Sequence, residues 1–504
     1  MRRLIFIGLF ISCFIKPATA DEFDRTIYIE RSRGNVYELL NKVSERSGWL
    51  FIYQNGVVNN DQRTFIAAGD YTLRDAILQI TGEKNLQMKV IDTHILLYKE
   101  SEPLSTLIPP ETRSFRVAEG YIKDRQTREV IPHCMVALEG TGMGTVTNDE
   151  GKFVLKIPDS LAHVPISVSH IGYLSRTLSL DLFSQGNPDI YMNQAAIQIQ
   201  EVVVRWVSAQ KIIREMLDNR FRNYAKDPLY FTSFYREGAN FGGDFVSLTE
   251  GVFTIYKSGL GSTEEDQVKL LKMRKINNPH YPDSVMVKLQ AGVSSSLLLD
   301  VVQHLPDFLS PDRDDLYLFT RIGMARIDSV LAHVVTFTQR AEIKEPLFSG
   351  TLYIDADNWA LLKAEFEINP RYIRQVSPNY VVRKSKSLDV EAQKVSYTIS
   401  YQPWKDYYWM QHIRGELHFK IKRKKSLFWI SKPLTVYFDM ATCALDDKDV
   451  KRFPNKERLS TGRIFSQTQF GYDADFWERF NTIPPEEQLT KTIAKLLLNV
   501  EEHR

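Results

Sequence analysis

Cysteine is scarce in this 504-residue chain: there are three, at Cys13, Cys134 and Cys443. Thiols so few and so far apart exclude a disulfide framework and a Cys-rich zinc or iron–sulfur site, and a bridge between Cys134 and Cys443 is not favoured. Net charge is scarce as well. The 64 Lys and Arg set against 62 Asp and Glu leave +2, which offers no overall field for holding a polyphosphate, so nucleic acid is not expected as a partner. Beyond residue 15 no apolar run is long enough to cross a bilayer as a helix. HxxE and HExxH zinc patterns, a GxSxG elbow, a Walker loop and a Rossmann fingerprint are all missing. The expectation is therefore a protein that is not an enzyme, with no catalytic, cofactor-binding or metal-ligating residue to assign and no cofactor.

What is there begins with length, about three times a typical domain, so several modules are expected. Hydrophobic residues at 43% and charged residues at 25% are ordinary for packed globular domains. Arg2 and Arg3 precede an apolar run from Leu4 to Ile15, and Ala18-Thr19-Ala20 supplies the small residues that signal peptidase needs. This reads as an export signal cut between Ala20 and Asp21. An uncleaved anchor fits less well, because Lys16-Pro17 interrupts the run. Lipidation at Cys13, after Ile11-Ser12, ranks below plain secretion because Phe14 and Ile15 are unlike a mature lipoprotein start. The expected location is the periplasm, in association with the outer membrane, with no transmembrane segment after cleavage.

Residues 23–100 carry the same helix pattern twice. Asn35 caps a helix with Val36, Leu39, Leu40 and Val43 on one face, Glu38 at the third position and Gly48 as its stop. Thr72 caps a second, with Leu73, Ala76, Ile77 and Ile80, Asp75 and Gly82 in the same places. Strand-like runs at Ile27 to Glu30, Leu50 to Tyr53, Leu86 to Ile91 and Ile95 to Tyr98 complete a small α+β domain, with a hairpin at Asp92-Thr93. The arrangement resembles the short N-terminal (STN) domain of secretins and TonB-dependent transducers. That resemblance implies contact with a periplasmic protein, such as an anti-sigma factor or a receptor. A linker at residues 101–113, with Pro103, Pro109 and Pro110, follows.

From 114 to 205 short strands alternate with turns at Gly140 to Thr145, Asn148 to Gly151 and Pro158-Asp159, the pattern of an antiparallel β-sandwich. The order Gly120, Asp124, Thr127, Ile131-Pro132, Leu138-Glu139-Gly140-Thr141, Gly144-Thr145, Thr147, Asp149, Gly151, Phe153 and Ser169-His170-Ile171-Gly172-Tyr173 resembles the carboxypeptidase-regulatory-like sandwich. Glu201-Val202-Val203-Val204 is similar to its exit strand in starch-utilisation-type TonB-dependent outer-membrane receptors. The name implies no peptidase, because that domain is the non-catalytic partner. Asp149 and Glu150 lack the alternating oxygens of a calcium loop and read as a hairpin turn.

The last module, 206–504, is too short for a receptor's plug and barrel. After a helix capped by Ser208, with Ile212, Ile213, Met216, Leu217 and Phe221 along one face, alternation marks antiparallel strands at Leu362 to Ile368, Val395 to Tyr401, Leu417 to Ile421 and Leu434 to Met440. The hairpin around Asp355-Ala356-Asp357-Asn358 resembles those of lipoprotein-carrier half-barrels, implying a mostly antiparallel β domain that is curved and shelters acyl chains. Ser233-Phe234-Tyr235-Arg236-Glu237, Glu250, Ile255-Tyr256-Lys257 and Tyr472 to Trp477 resemble exported carboxypeptidase-regulatory-like envelope proteins of undefined role. A closing helix is expected after Pro484-Pro485, with Leu489, Ile493, Leu496, Leu497 and Val500 in a stripe.

The candidate cluster for structure or function is Arg236, Glu237, Glu250, Asp473, Asp475 and Trp477. Arg236 and Glu237 are neighbours on a strand and face opposite sides, so Glu250 is the better partner for Arg236. Asp473 and Asp475 would share a face, but Phe476, Trp477 and Phe480 beside them suggest a packed closing segment with Trp477 in the core. Ser208-Ala209-Gln210-Lys211 is formally an SxxK pair without its companion motifs, and Ser208 has a ready role as a cap. The basic run Lys420, Lys422, Arg423, Lys424 and Lys425 is a solvated hairpin end sooner than a lipid-headgroup site. The function expected is an adaptor or signalling component that binds a periplasmic or outer-membrane protein. The alternatives are an acyl-chain or lipoprotein carrier, with lipid as partner, and an unrecognised hydrolase.

Overall fold

A computed structural model describes residues 23, 26–53, 58, 62–83, 86–91, 94–99, 115–195, 207–278, 288–289, 292–327, 330–383, 388–423, 431–459, 480–487 and 489–490. They fall into two compact units, one up to residue 99 and one from residue 115 onward.

In the first unit the two helices form where local capping places them. Helix α1 (Val36–Ser47) begins at Asn35, whose Oδ1 accepts from the Glu38 N–H at 2.8 Å while the Glu38 carboxylate accepts from the Asn35 N–H at 3.1 Å. Helix α2 (Leu73–Thr81) begins at Thr72, whose Oγ1 accepts from Asp75 N–H at 3.1 Å. Their apolar faces share one core. Around them lie β1 (Thr26–Ile29), β2 (Ser32–Asn35), β3 (Leu50–Tyr53), β4 (Arg63–Ile66), β5 (Gly69–Thr72), β6 (Leu86–Ile91) and β7 (His94–Lys99). The pairs are β1 with β5, β2 with β4, and a three-stranded sheet β3-β7-β6. Strands β2, β4 and β5 have four residues each and no apolar alternation, so sequence pattern does not mark them.

The second unit opens with a sandwich of two sheets, β10-β9-β12-β13 and β11-β8-β14. Its strands are β8 (Phe115–Asp124), β9 (Met135–Leu138), β10 (Gly144–Val146), β11 (Lys152–Pro158), β12 (Ile166–Ser169), β13 (Arg176–Leu178) and β14 (Asp189–Met192). One pairing departs from the antiparallel expectation: β14 runs parallel to β8, because the chain leaves the other sheet after β13 and crosses over before pairing. Gly151 is required by its turn. Its φ is +72°, and an added Cβ would lie 2.7 Å from the Ile122 carbonyl oxygen.

The remaining strands build one open antiparallel sheet of ten, in the order β17-β16-β15-β26-β25-β24-β22-β21-β20-β19. They are β15 (Leu229–Phe241), β16 (Asp244–Lys257), β17 (Gln267–Asn277), β19 (Tyr317–Ile327), β20 (Val330–Gln339), β21 (Phe348–Asp355), β22 (Leu361–Ile368), β24 (Leu388–Trp404), β25 (Tyr407–Arg423) and β26 (Lys432–Asp446), with a small pair β18 (Lys288–Leu289) and β23 (Val381–Arg383) apart. The alternating residues expected inside are buried, and the sheet does not close into a barrel. Its apolar face is covered by the chain itself. Helices α3 (Ala209–Asp218) and α5 (Val293–Leu297) and the turn Asp307–Leu309 supply Ile212, Ile213, Leu297 and Phe308 to its core. Phe308 stacks on Phe337 at 4.3 Å and lies 5.1 Å from Phe366.

Phe221 corrects the expected helix stripe. Helix α3 ends at Asp218, and Phe221 lies in the short helix α4 (Arg220–Asn223), 48% exposed beneath the cations of Arg220 and Lys226. Helix α6 (Ser377–Tyr380) is one turn long. Among the described residues no helix is long and apolar enough to cross a membrane. Of the closing helix, Thr490 N–H donates to Glu486 O at 2.9 Å; the stripe from Ile493 to Val500 lies outside the described residues.

Candidate functional site

A strand with period-two alternation sends every second side chain to one face. On the face of the large sheet opposite its apolar core, directly opposed residues from β17 to β25 read Arg274, Glu250, Arg236, Asp439 and Arg414, with alternating sign. The row continues as Thr398, Glu365, Thr351 and Thr336, hydroxyls around a single carboxylate. Arg236 Nε donates to Glu250 Oε1 at 2.7 Å, both side chains being 1% exposed, and Arg274 Nε donates to the other oxygen. Burial works against both charges. Even so, Glu250 and Glu486 hold the Arg236 pKa above its ordinary value, and Arg236 and Arg274 hold the Glu250 carboxyl below its own.

The second half of the row is joined to the sandwich. Arg414 donates to Asp439 Oδ2, to Glu416 and, across the junction, to Asp149 Oδ2, each at 3.0 Å. The ring of His412 lies 3.0 Å from Asp439 Oδ1 and stacks on His133 of the sandwich at 5.4 Å between centroids. His133 in turn lies 3.0 Å from Asp149 Oδ1. Burial presses the His412 pKa down, and although burial pushes Asp439 up, His412 and Arg414 hold that carboxyl well below the usual range.

Residues Phe480 to Glu487 run between the sandwich and the sheet. Arg236 donates through Nη2 to Ile483 O at 2.6 Å and through Nη1 to Pro484 O at 3.3 Å. From the sandwich, Thr145 Oγ1 reaches Thr482 O and Asn148 Nδ2 reaches Pro484 O, each at 3.3 Å, and Asn481 exchanges two hydrogen bonds with the Lys156 backbone. Glu150 accepts from the Glu487 N–H at 2.9 Å. Ile483, 3% exposed, packs among Val146, Phe234, Val252, Ala441 and Cys443.

Beside this junction opens a cavity of about 540 Å³ over β20, β21, β22, β24 and β25, lined by His133, Arg414, Glu416, Lys394, Glu365 and Glu367 and by hydroxyls such as Thr351 and Thr398. On the opposite side, Lys257 Nζ lies 2.8 Å from Asp266 and 3.0 Å from Asp300, beside a cavity of only about 30 Å³. Burial opposes its charge, but Asp300 and Asp266 raise its pKa. An amine held protonated is no nucleophile, and Tyr401 donating to Asp300 at 2.8 Å completes a structural ion triad. Among the described residues no three of His, Cys, Asp and Glu are placed to hold a metal ion.

Of the residues expected from sequence, Arg236 and Glu250 meet. Glu237 turns to the other face, where Tyr235 Oη donates to it at 3.0 Å. Asp473, Asp475 and Trp477 lie outside the described residues, as do Cys13, Ala20, Asp21, Lys424 and Lys425. Lys422 lies 3.9 Å from Glu391 near the end of β25. Ser208 is a cap, its Oγ accepting from Lys211 N–H at 3.3 Å. Cys134 and Cys443 are buried free thiols. Asp149 and Glu150, a turn by sequence, are junction residues too. Sequence reading missed Asp439, Arg414, His412 and His133; a charged residue set inside the apolar run of β26 is the signal that marks Asp439.

Residues 118–204 match the CarboxypepD_reg-like domain family, which identifies the sandwich. No curated protein matches the chain. A crystal structure of a DUF1329 family protein from Desulfovibrio piger is similar at 10% identity and a TM-score of 0.21, over 49% of this chain and 96% of that one; at that score it carries no argument.

Proposed function

We propose that the protein is a non-enzymatic adaptor that works by binding another protein in the periplasm, at the outer membrane. The observation that carries this reading is the polar groove of about 540 Å³ where the regulatory-like sandwich meets the large sheet. Its walls are hydrogen-bonding and charged groups on regular strands, which hold a ligand-facing surface in place, and its charged groups are tied to each other in the manner of a recognition surface sooner than a reactive centre. The STN-like first unit is the docking module for a periplasmic or outer-membrane partner such as an anti-sigma factor or a receptor, and the basic, apolar and Ala-x-Ala pattern of residues 2–20 directs the chain to that compartment.

Carriage of acyl chains has less support, because the apolar face of the sheet is filled by Phe308, Leu297 and the α3 side chains. Hydrolysis has less again, because Ser208 is spent as a cap and Lys257 is held as an ion. The test is photo-crosslinking in envelope preparations. A crosslinker in place of Thr351 or Glu367 is expected to trap a discrete protein, whereas one at the exposed Leu298, just past α5 on the opposite side of the sheet, traps none. Adducts with lipid alone from the groove positions reject the adaptor reading.

A further inference from the structure

The contacts of Phe480 to Glu487 have the form of peptide recognition and not of an ordinary core strand. Among the described residues no ladder of backbone pairs ties this segment to a sheet. Side chains of the surrounding body read its carbonyls instead: Arg236 takes those of Ile483 and Pro484, Asn148 that of Pro484, Thr145 that of Thr482, and Cys443 Sγ that of Asn481 at 3.1 Å. Ile483 fills an apolar pocket supplied by both the sandwich and the sheet, and Phe480 packs against the same cluster. Pro484 and Pro485 follow it; their fixed φ favours an extended backbone before binding and they carry no N–H that needs a partner. A preorganised segment, anchored by a buried apolar side chain and held by its backbone, is how short peptides are bound by folded domains.

We propose that the channel between the sandwich and the large sheet is a peptide-binding site, and that residues 480–487 are its resident ligand, held in cis. The ligand class is an extended segment with a branched apolar residue followed by two prolines and a carboxylate, Glu486 lying 3.9 Å from Arg236. Release of this segment exposes Arg236 and the Ile483 pocket, so a partner presenting such a segment competes with the protein's own. This inference does not depend on the groove beside it.

The test uses the full chain with a specific protease site inserted between Leu459 and Phe480, cut after folding. A fluorescent peptide of residues 478–490 is then added and its anisotropy followed. The expected result is saturable binding to the cut protein and binding at least tenfold weaker to the uncut one, whose tethered segment competes. A peptide carrying Ile483→Asp is expected to bind at least tenfold more weakly to the same cut protein, a comparison that needs no variant protein to fold. Arg236→Gln, in a cut protein that still melts cooperatively, is expected to weaken the unmodified peptide similarly. Equal binding to cut and uncut protein, undiminished binding of the Ile483→Asp peptide, or a cut protein that neither exchanges its segment nor survives its loss overturns the proposal and makes residues 480–487 plain core.

Discussion

Arg236 and Glu250 face each other across β15 and β16 with Nε and Oε1 2.7 Å apart, and each side chain is 1% exposed. An ion pair so deep in a protein costs several kcal/mol of desolvation per charge unless hydrogen bonds complete it. Here they do: Arg274 takes the second carboxylate oxygen, and two carbonyls of the 480–487 segment each take one N–H, from Nη1 and Nη2 of Arg236. The pair thus ties strand pairing in the sheet to the docking of a distant segment.

Removing one partner should therefore cost more than removing both. Arg236→Met is expected to destabilise the second unit by about 3–5 kcal/mol, since it leaves Glu250 buried beside a single cation and two carbonyls unmatched. Adding Glu250→Leu is expected to recover part of that loss. Urea denaturation of the two variants and the parent measures it; a double variant at least as unstable as Arg236→Met rejects the account.

Gly142 sets how closely the sandwich sits on the sheet. A Cβ there would lie 2.7 Å from the Leu445 Cβ and 3.1 Å from its backbone nitrogen. Gly142→Val is expected to cost about 1–3 kcal/mol, the range for overpacking, and to speed amide exchange along the junction while the interior of the sandwich keeps its protection. Unchanged exchange at Val146 and Ala441 would show that the junction tolerates the extra bulk.

Ser208 offers a direct contest between a cap and a nucleophile. As a cap it is expected to lose about 1 kcal/mol on Ser208→Ala and to keep its stability on Ser208→Asp, because Asp accepts the same Lys211 N–H. A β-lactam probe is expected to leave the chain unlabelled. Labelling that vanishes in both variants restores the enzymatic reading.

Those parts of the fold that are set locally were legible in the sequence. Asn35 with Glu38, Thr72 with Asp75, and Ser208 place three helices correctly, because a cap and an apolar stripe act within a few residues. Alternation marks the long strands for the same reason. The Arg236–Glu250 pair was within reach because the two strands form one hairpin through Gly242-Gly243, which sets their register. Asp439, Arg414 and Asp149 were not, because Arg414 and Asp149 are 265 residues apart, Asp439 meets Arg236 only once β26 has returned to β15, and register across such pairs is fixed by bulges such as the one at Thr232/Ser233. Asp149 and Glu150 show the limit from the other side. Their sequence codes for a turn, and the structure adds a docking role that no turn signal carries.

The histidines of the second unit give its stability a definite pH dependence. Burial lowers the pKa of His412, and burial together with Lys363 lowers that of His170 to about 4; His304 and His333 shift the same way. An unfolded chain protonates these rings near pH 6.5, so between that value and the lower folded value the unfolded state binds more protons. Stability then rises with pH through this window. The contribution is complete above about pH 6.5 and is lost as pH falls toward about 4; Asp439, whose folded pKa is depressed, adds its own loss only at still lower pH. Urea midpoints followed by fluorescence are expected to be level above neutrality and to decline steadily on acidification to pH 4.5. His170→Asn removes one titrating ring from that window and is expected to flatten the decline without changing its direction. Burial also holds the Glu237 and Glu486 carboxyls above their ordinary range, so they take up protons on folding as the pH falls and oppose the histidines. The comparison with His170→Asn therefore carries the test, and a decline equally steep in that variant would overturn the assignment of His170 as a neutral ring in the folded protein.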